Sequence, residues 1–400
     1  MIFEATDWGY PTAIWFGSER ARDLPVACRT LAIKRPLLVT DEGLASLPVI
    51  AELVALLSGS GLEVSVFSGV QGNPTSANVA AGVAAFHQGD CDGVVAVGGG
   101  SALDVGKTLA LMARQEASLW GFADMSAAPV TLAPDALVPV IALPTTAGTG
   151  SEVGRAAVIV DEESHSKRII FHPTMLPDIV ISDPHLTVGL PATVTAWTGI
   201  DALVHALEAF MSPSFHPLSQ GIAVEAIRMI SQWLPEAVAD GRNIEARGNM
   251  LVAASMGAVA FQKGLGSIHS VSHVIGGLYN THHGLTNAIV LPFGVKQNMD
   301  VVSERLAYLA RVLQLPGADA SAFLDFLLAF RERLGIPASL AALGIDESRA
   351  SEVGRLAELD PCTPSNAKPI AAAGLETLFR AAVRGDLTML ECRAGSVSGR

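Results

Sequence analysis

Gly93-Val94-Val95-Ala96-Val97-Gly98-Gly99-Gly100-Ser101 is the stretch on which the fold turns. A short run of small and β-branched apolar residues reads as a buried strand, and three glycines and a serine follow it before a helical stretch marked by Asp104 and Lys107. Strand, glycine turn and helix N-terminus together let backbone N–H groups approach a pyrophosphate. The run fits neither G-x-G-x-x-G nor G-x-x-x-x-G-K-[ST], so a tight strand-to-helix turn without a ligand is an equal reading.

Working outward, residues 36–40, 64–67, 138–142 and 178–181 read as further buried strands, with helical patterns at 49–57 and 78–87. This βαβ rhythm predicts a largely parallel sheet with ligands at the carboxyl ends of its strands. A second turn, Pro144-Thr145-Thr146-Ala147-Gly148-Thr149-Gly150-Ser151-Glu152, follows another of these strands. Its hydroxyls suit a polar ligand as well as a capped helix start, and two such turns on one sheet edge suit an extended ligand such as NAD(P). Asp41 ends the strand at 36–40, where a carboxylate can accept ribose hydroxyls and repel a 2′-phosphate, or cap a helix.

Past Asp183 the periodicity becomes helical, at 192–210, 220–239, 247–261, 303–313, 320–334 and 371–384. The expected division is near Pro184, into an α/β dinucleotide-binding domain at 1–184 and an all-α domain at 185–400. The segment 359–369, with three prolines, reads as a loop.

Composition narrows the function. Half of the 400 residues are hydrophobic and 16% are charged, which excludes a disordered chain. The formal charge of −13 repels phosphate polymers and argues against nucleic acid as a partner. The longest mostly apolar run, 250–261, is too short to span a membrane. Cys28, Cys91, Cys362 and Cys392 lack any metal-knuckle or disulfide-framework spacing, and no cation precedes Arg20 to mark a secretory signal, so the cytoplasm is the expected location.

The chemistry-bearing residues lie in the second half. Asp201 and His205 stand four apart in a helical pattern, as do His269 and His273, and His282-His283 follow shortly after. From 248 to 295 the only charged side chain is Lys263, yet four of the ten histidines fall there. Imidazoles in so apolar a stretch need partners, and one carboxylate with three histidines makes an open metal site suited to Fe(II), Zn(II), Co(II) or Mn(II).

These motifs, with His283-Gly284, resemble in order and spacing the iron-containing (group III) alcohol dehydrogenases over roughly Phe3 to Arg384. That family includes lactaldehyde reductase, 1,3-propanediol dehydrogenase and 4-hydroxybutyrate dehydrogenase. The resemblance implies a metal and a nicotinamide in the cleft between the two domains, a small alcohol or aldehyde substrate, and a homodimer or larger assembly. It implies Asp201, His205, His269 and His283 as metal ligands, with Fe(II) the expected ion and Zn(II) the alternative, and His273 as a proton relay. It implies NAD(H) contacts from Asp41, Asn73, Gly98, Gly99, Ser101, Asp104, Thr145, Thr146, Thr149, Lys167 and Leu186. Arg155 and Lys263 depart from many relatives. Each is expected either to serve the structure or to face the cleft and bind an acidic semialdehyde. A maleylacetate reductase, a dehydroquinate-synthase-like lyase and a silent binding protein are the competing readings.

Overall fold

A computed structural model describes residues 10, 12–123, 130–132, 136–163 and 166–390. Phe3 and Cys392 lie outside the described residues. The first half contains strands β1 (Ala13–Phe16), β2 (Pro36–Asp41), β3 (Ser65–Val70), β4 (Gly93–Gly98), β5 (Val140–Pro144), β6 (Ala156–Asp161), β7 (Ser166–Phe171) and β8 (Ile179–Ser182). Its helices are α1 (Leu24–Thr30), α2 (Glu42–Ala45), α3 (Pro48–Gly59), α4 (Ser76–Gln88) and α5 (Gly100–Met112). Six strands form one parallel sheet in the order β1-β8-β5-β4-β2-β3, and β6 and β7 pair as a separate antiparallel hairpin.

Side-chain alternation explains why helices cover both faces of that sheet. Along β4, Val94 and Ala96 join Phe86, Val105 and Leu109 from α4 and α5. Val95 and Val97 point the other way, into Leu24, Ile50, Leu53 and Leu57 from α1 and α3. Strands buried on both faces are continuously apolar, which is why the run around Val95 reads so plainly. The strand order reverses between β2 and β4, so their carboxyl ends frame a crevice, and there stand Asp41 and the glycines that follow Val97.

The described residues of the second half hold helices and no strand: α6 (Ala192–Met211), α7 (Pro217–Ala239), α8 (Ile244–Ala260), α9 (Ser267–Tyr279), α10 (His283–Val312), α11 (Ala320–Arg333), α12 (Ala350–Glu358) and α13 (Ala372–Arg384). Every residue from Thr198 to Met211 on α6 is buried, so this helix is the axis around which α7, α8 and α10 pack. A polar side chain on such a helix is retained only with a partner, which makes Asp201, His205 and Glu208 conspicuous. No single described helix is long and apolar enough to cross a membrane.

Candidate active site

A cleft of about 930 Å³ opens at the carboxyl edge of the sheet and runs down to the helical half. Of the expected cofactor residues, Asp41, Asn73, Gly99, Ser101, Thr145, Thr146, Thr149 and Leu186 line it, and Asp201 and His283 close its inner end. The start of α5 faces this space: Gly99 is its N-cap, and no side chain caps it. Its first-turn N–H groups and the helix dipole suit an anion. Gly98 has φ 152°, and a Cβ there would stand 2.6 Å from the Ala102 methyl, so only glycine permits this turn.

The remaining expected contacts differ in kind. Asp104 does not line the cleft. Its two oxygens accept bonds from Ser151 Oγ at 2.5 Å and the Val158 N–H at 2.9 Å, with Lys107 Nζ at 3.5 Å, so it ties α5 to β6. Lys167 on β7 reaches α9, where its ammonium lies 3.0 Å from the position a Gly276 Cβ would take. Burial lowers that ammonium to about 8, against the pull of Asp201 and Asp104. Asn73 donates its amide to Asn280 Oδ1 at 2.7 Å, joining the sheet half to the C-terminal end of α9. Asp41 Oδ1 accepts the Leu44 N–H at 2.9 Å, so it caps α2 while also lining the cleft. The turn at 148–150 also serves packing. A Cβ on Gly150 would meet the Ala258 methyl at 2.1 Å, so this glycine lets the sheet edge seat on α8.

The four expected metal ligands come together. Donor atoms of Asp201, His205 and His269 lie within 4.8 Å of one another, and His283 Nε2 is 3.7 Å from Asp201 Oδ1. The His205 and His269 rings stack at 4.8 Å, and His269 and His283 are 5.4 Å apart. Burial, reinforced by neighbouring imidazoles, holds His269 and His283 well below the usual imidazole range, leaving both neutral as ligation demands. Gly284 brings α10 against α6, since a Cβ there would meet the Trp197 carbonyl oxygen at 2.6 Å.

This donor set fits a divalent cation. The Asn287 amide donates to Asp201 Oδ1 at 2.6 Å and sits 3.0 Å from His283 Nε2 and 3.3 Å from His269 Nε2, so several acceptors converge on one neutral donor. Buried His205 Nδ1, His283 Nδ1 and Asn287 Oδ1 have no partner. One carboxylate with three imidazoles, dry and incompletely satisfied, suits Fe(II) or Zn(II) with a coordination position left for substrate.

Two carboxylates support the histidines of α9 and are absent from the sequence-based ligand set. Glu208 Oε2 is 2.6 Å from His269 Nδ1, and its Oε1 accepts the Ile268 N–H at 2.8 Å. Burial pushes the Glu208 carboxyl up to about 7. Asp201, His205 and Glu208 recur at i, i+4 and i+7 on one helix face, so the signal for Glu208 was present in the spacing. Asp360 Oδ2 is 2.9 Å from His273 Nδ1, and nothing local in the sequence marks it. His273 stacks on His283 with ring centroids 5.3 Å apart, which puts the expected relay beside the expected ligands.

Arg155 and Lys263 serve the structure. The Arg155 guanidinium lies over the Phe171 ring, 5.9 Å from its centroid, and does not line the cleft. Buried Lys263 donates to the carbonyls of Ala209, Phe210 and Ser212 at 3.0, 3.4 and 2.7 Å, closing the C-terminus of α6, and Arg305 joins it there. Of the two readings of Lys263, the structural one fits and the grip on a semialdehyde does not: its donors are spent on backbone.

Comparison with known proteins agrees with this geometry. The family model described as iron-containing alcohol dehydrogenase matches residues 11–184, and the model for the C-terminal part of the Fe-containing alcohol dehydrogenase family matches 195–383. The 4-hydroxybutyrate dehydrogenase of Cupriavidus necator is 40% identical over 86% of this chain and 91% of its own length. The 1,3-propanediol dehydrogenase of Klebsiella pneumoniae is 35% identical over 96% of this chain and all of its own. A crystal structure of a 1,3-propanediol oxidoreductase superposes with TM-score 0.90 at 35% identity, covering 95% of this chain and all of that one. The chain belongs to the iron-containing alcohol dehydrogenase family, and it is an oxidoreductase of the alcohol dehydrogenase type.

Proposed function

We propose that this enzyme interconverts a small ω-hydroxy acid and its semialdehyde, using NAD(H) and Fe(II). The observation that carries the reading is the convergence of Asp201, His205, His269 and His283 at the inner end of a nucleotide-sized cleft. When bound, the divalent ion supplies Lewis acidity to the substrate oxygen, and the nicotinamide takes or supplies the hydride. The chain's own residues do the rest. The first turn of α5 holds the pyrophosphate, Asp41 takes the ribose hydroxyls, and Thr145, Thr146 and Thr149 line the path inward. Buried aliphatic side chains of α6 and α10 keep bulk water from the reacting centre. His273 accepts the alcohol proton in the oxidative direction and returns it in the reductive one.

Likeness to a 4-hydroxybutyrate dehydrogenase supports the acidic substrate, as does Lys167, the cation whose field reaches His282 and His283. The domain division near Pro184, a homo-oligomeric assembly and a cytoplasmic location belong to the same proposal. The buried free thiols of Cys28 and Cys91 fit a reducing compartment.

The test is NADH oxidation by the Fe(II)-loaded enzyme with succinic semialdehyde and with butanal, a neutral aldehyde of equal chain length. A kcat/KM about tenfold or more in favour of the acid is expected, the value of one charge-assisted contact. Equal rates would remove the acidic substrate and leave the dehydrogenase. Lys263→Met is expected to keep the same acid preference while lowering stability by about 2 kcal/mol, read as a thermal-melting shift, because buried carbonyls lose a charged donor.

A further inference from the structure

The proline-bearing segment 359–369, read from sequence as a loop, is stitched along α9. Thr363 Oγ1 donates to Ser270 Oγ at 2.7 Å, Asn366 Oδ1 accepts the Ser267 N–H at 3.1 Å, and Ser365 Oγ donates to the Leu265 carbonyl at 2.8 Å. So fastened, the segment delivers one carboxylate to the helix. Asp360 Oδ2 lies 2.9 Å from His273 Nδ1, both side chains are about nine-tenths buried, and Asp360 Oδ1 accepts the Cys362 N–H at 2.9 Å. Its proximity to His273 and these bonds keep the carboxyl below its ordinary range despite burial, so the group facing Nδ1 is an acceptor. A neutral imidazole facing an ionised carboxylate carries its proton on Nδ1 and keeps a lone pair on Nε2. His269, one turn earlier, has Glu208 Oε2 at 2.6 Å from its own Nδ1. The helix thus presents two imidazoles, each oriented by its own buried acid.

We propose that Asp360 is the positioning residue of the proton transfer: it fixes the tautomer and ring orientation of His273 so that Nε2 exchanges the proton with the substrate hydroxyl. The inference rests on the reading of His273 as the relay. In the oxidative direction the proton leaves the substrate oxygen for Nε2, the resulting imidazolium keeps its Nδ1–H on Asp360, and solvent later takes the proton. The reductive direction reverses this, and hydride passes separately between cofactor and carbon. Asp360 touches no reacting atom in this account.

Asp360→Asn keeps an oxygen for the Cys362 N–H, so the segment remains anchored, while the charge is lost and the new amide can donate to Nδ1 and drive the proton onto Nε2. Expected is a kcat reduced about 10-fold or more with KM and metal content unchanged, since removing the carboxylate that orients a histidine costs about 10- to 100-fold behind a metal ligand and more behind a general base. Asp360→Glu is expected to restore part of that loss. In the double variant with His273→Asn, the Asp360→Asn change is expected to cost nothing further. A readout independent of turnover is the ¹⁵N spectrum of the metal-free, histidine-labelled protein, where the His273 signals should change from the Nδ1–H to the Nε2–H pattern in Asp360→Asn. A kcat within twofold of the parent, multiplicative losses in the double variant, or an unchanged tautomer would overturn the proposal. Full activity of His273→Asn would instead overturn the relay reading, while the spectrum would still decide whether Asp360 sets the tautomer.

Discussion

His205→Ala is expected to hold less than about a tenth of the parent's metal and to lose about 10³-fold or more in kcat/KM, because the Lewis acidity at stake is worth several kcal/mol. The His205 ring stacks on His269 at 4.8 Å, inside the buried run of α6, and shares a 4.8 Å neighbourhood with the donors of Asp201 and His269. Removing it deletes one donor of four and opens a void against Phe261, whose ring is 5.2 Å away. That void costs stability as well. Metal per chain, measured on protein whose melting transition remains cooperative, separates the two effects. His273→Asn is the contrasting variant: it should retain full metal and still lose turnover. A His205→Ala enzyme with parental metal and activity would show that the ligand set is misassigned.

The second large effect concerns the nucleotide. Asp41→Ser is expected to raise the ratio of NADPH to NADH utilisation about 10²-fold. The carboxylate lines the cleft at the carboxyl end of β2, where a 2′-phosphate would meet it. Repulsion between two such charges in a partly solvated cleft is about 2–4 kcal/mol, or one and a half to three powers of ten. Serine is the informative replacement because Asp41 also caps α2 through the Leu44 N–H at 2.9 Å. A serine hydroxyl keeps that cap, so a change in cofactor ratio reports the charge and not a frayed helix. Alanine would confound the two. The ratio of kcat/KM values for the two cofactors checks this, and an unchanged ratio would remove Asp41 from cofactor selection.

Which parts of this molecule were legible in its sequence follows from local physics. Strands β2, β4, β5 and β8 are central and buried, so each carries an uninterrupted apolar run. The edge strand β1 is four residues long and mostly exposed, and the β6–β7 hairpin lies outside the parallel sheet; both hold short apolar runs, at 13–16 and 156–160, that the reading of buried strands passes over. Helix α9 contains Gly276 and Gly277, and α10 contains Pro292. Both are poor in intrinsic propensity and are held by packing in the helical core, so the expected helix at 303–313 grew to His283–Val312.

The candidate site divides along the same line. Asp201 with His205, and His269 with His273, announce themselves because helical spacing is a local property. Glu208 shares that spacing. Asn287 stands one turn from His283 on α10 but reaches Asp201 and His269 only through tertiary packing, as Asp360 reaches His273, 87 residues away. Lys263 shows the reverse case: a lone cation in an apolar stretch suggests a ligand, yet the buried carbonyls at the end of α6 were the partner it needed.

Anaerobic titration of the metal-free enzyme with Fe(II), following NADH-dependent aldehyde reduction and bound metal together, tests the central claim most directly. One ion per chain, with activity rising in proportion to occupancy and absent at zero occupancy, is the predicted result. Full activity without metal, or stoichiometric binding that survives in His205→Ala, would contradict it.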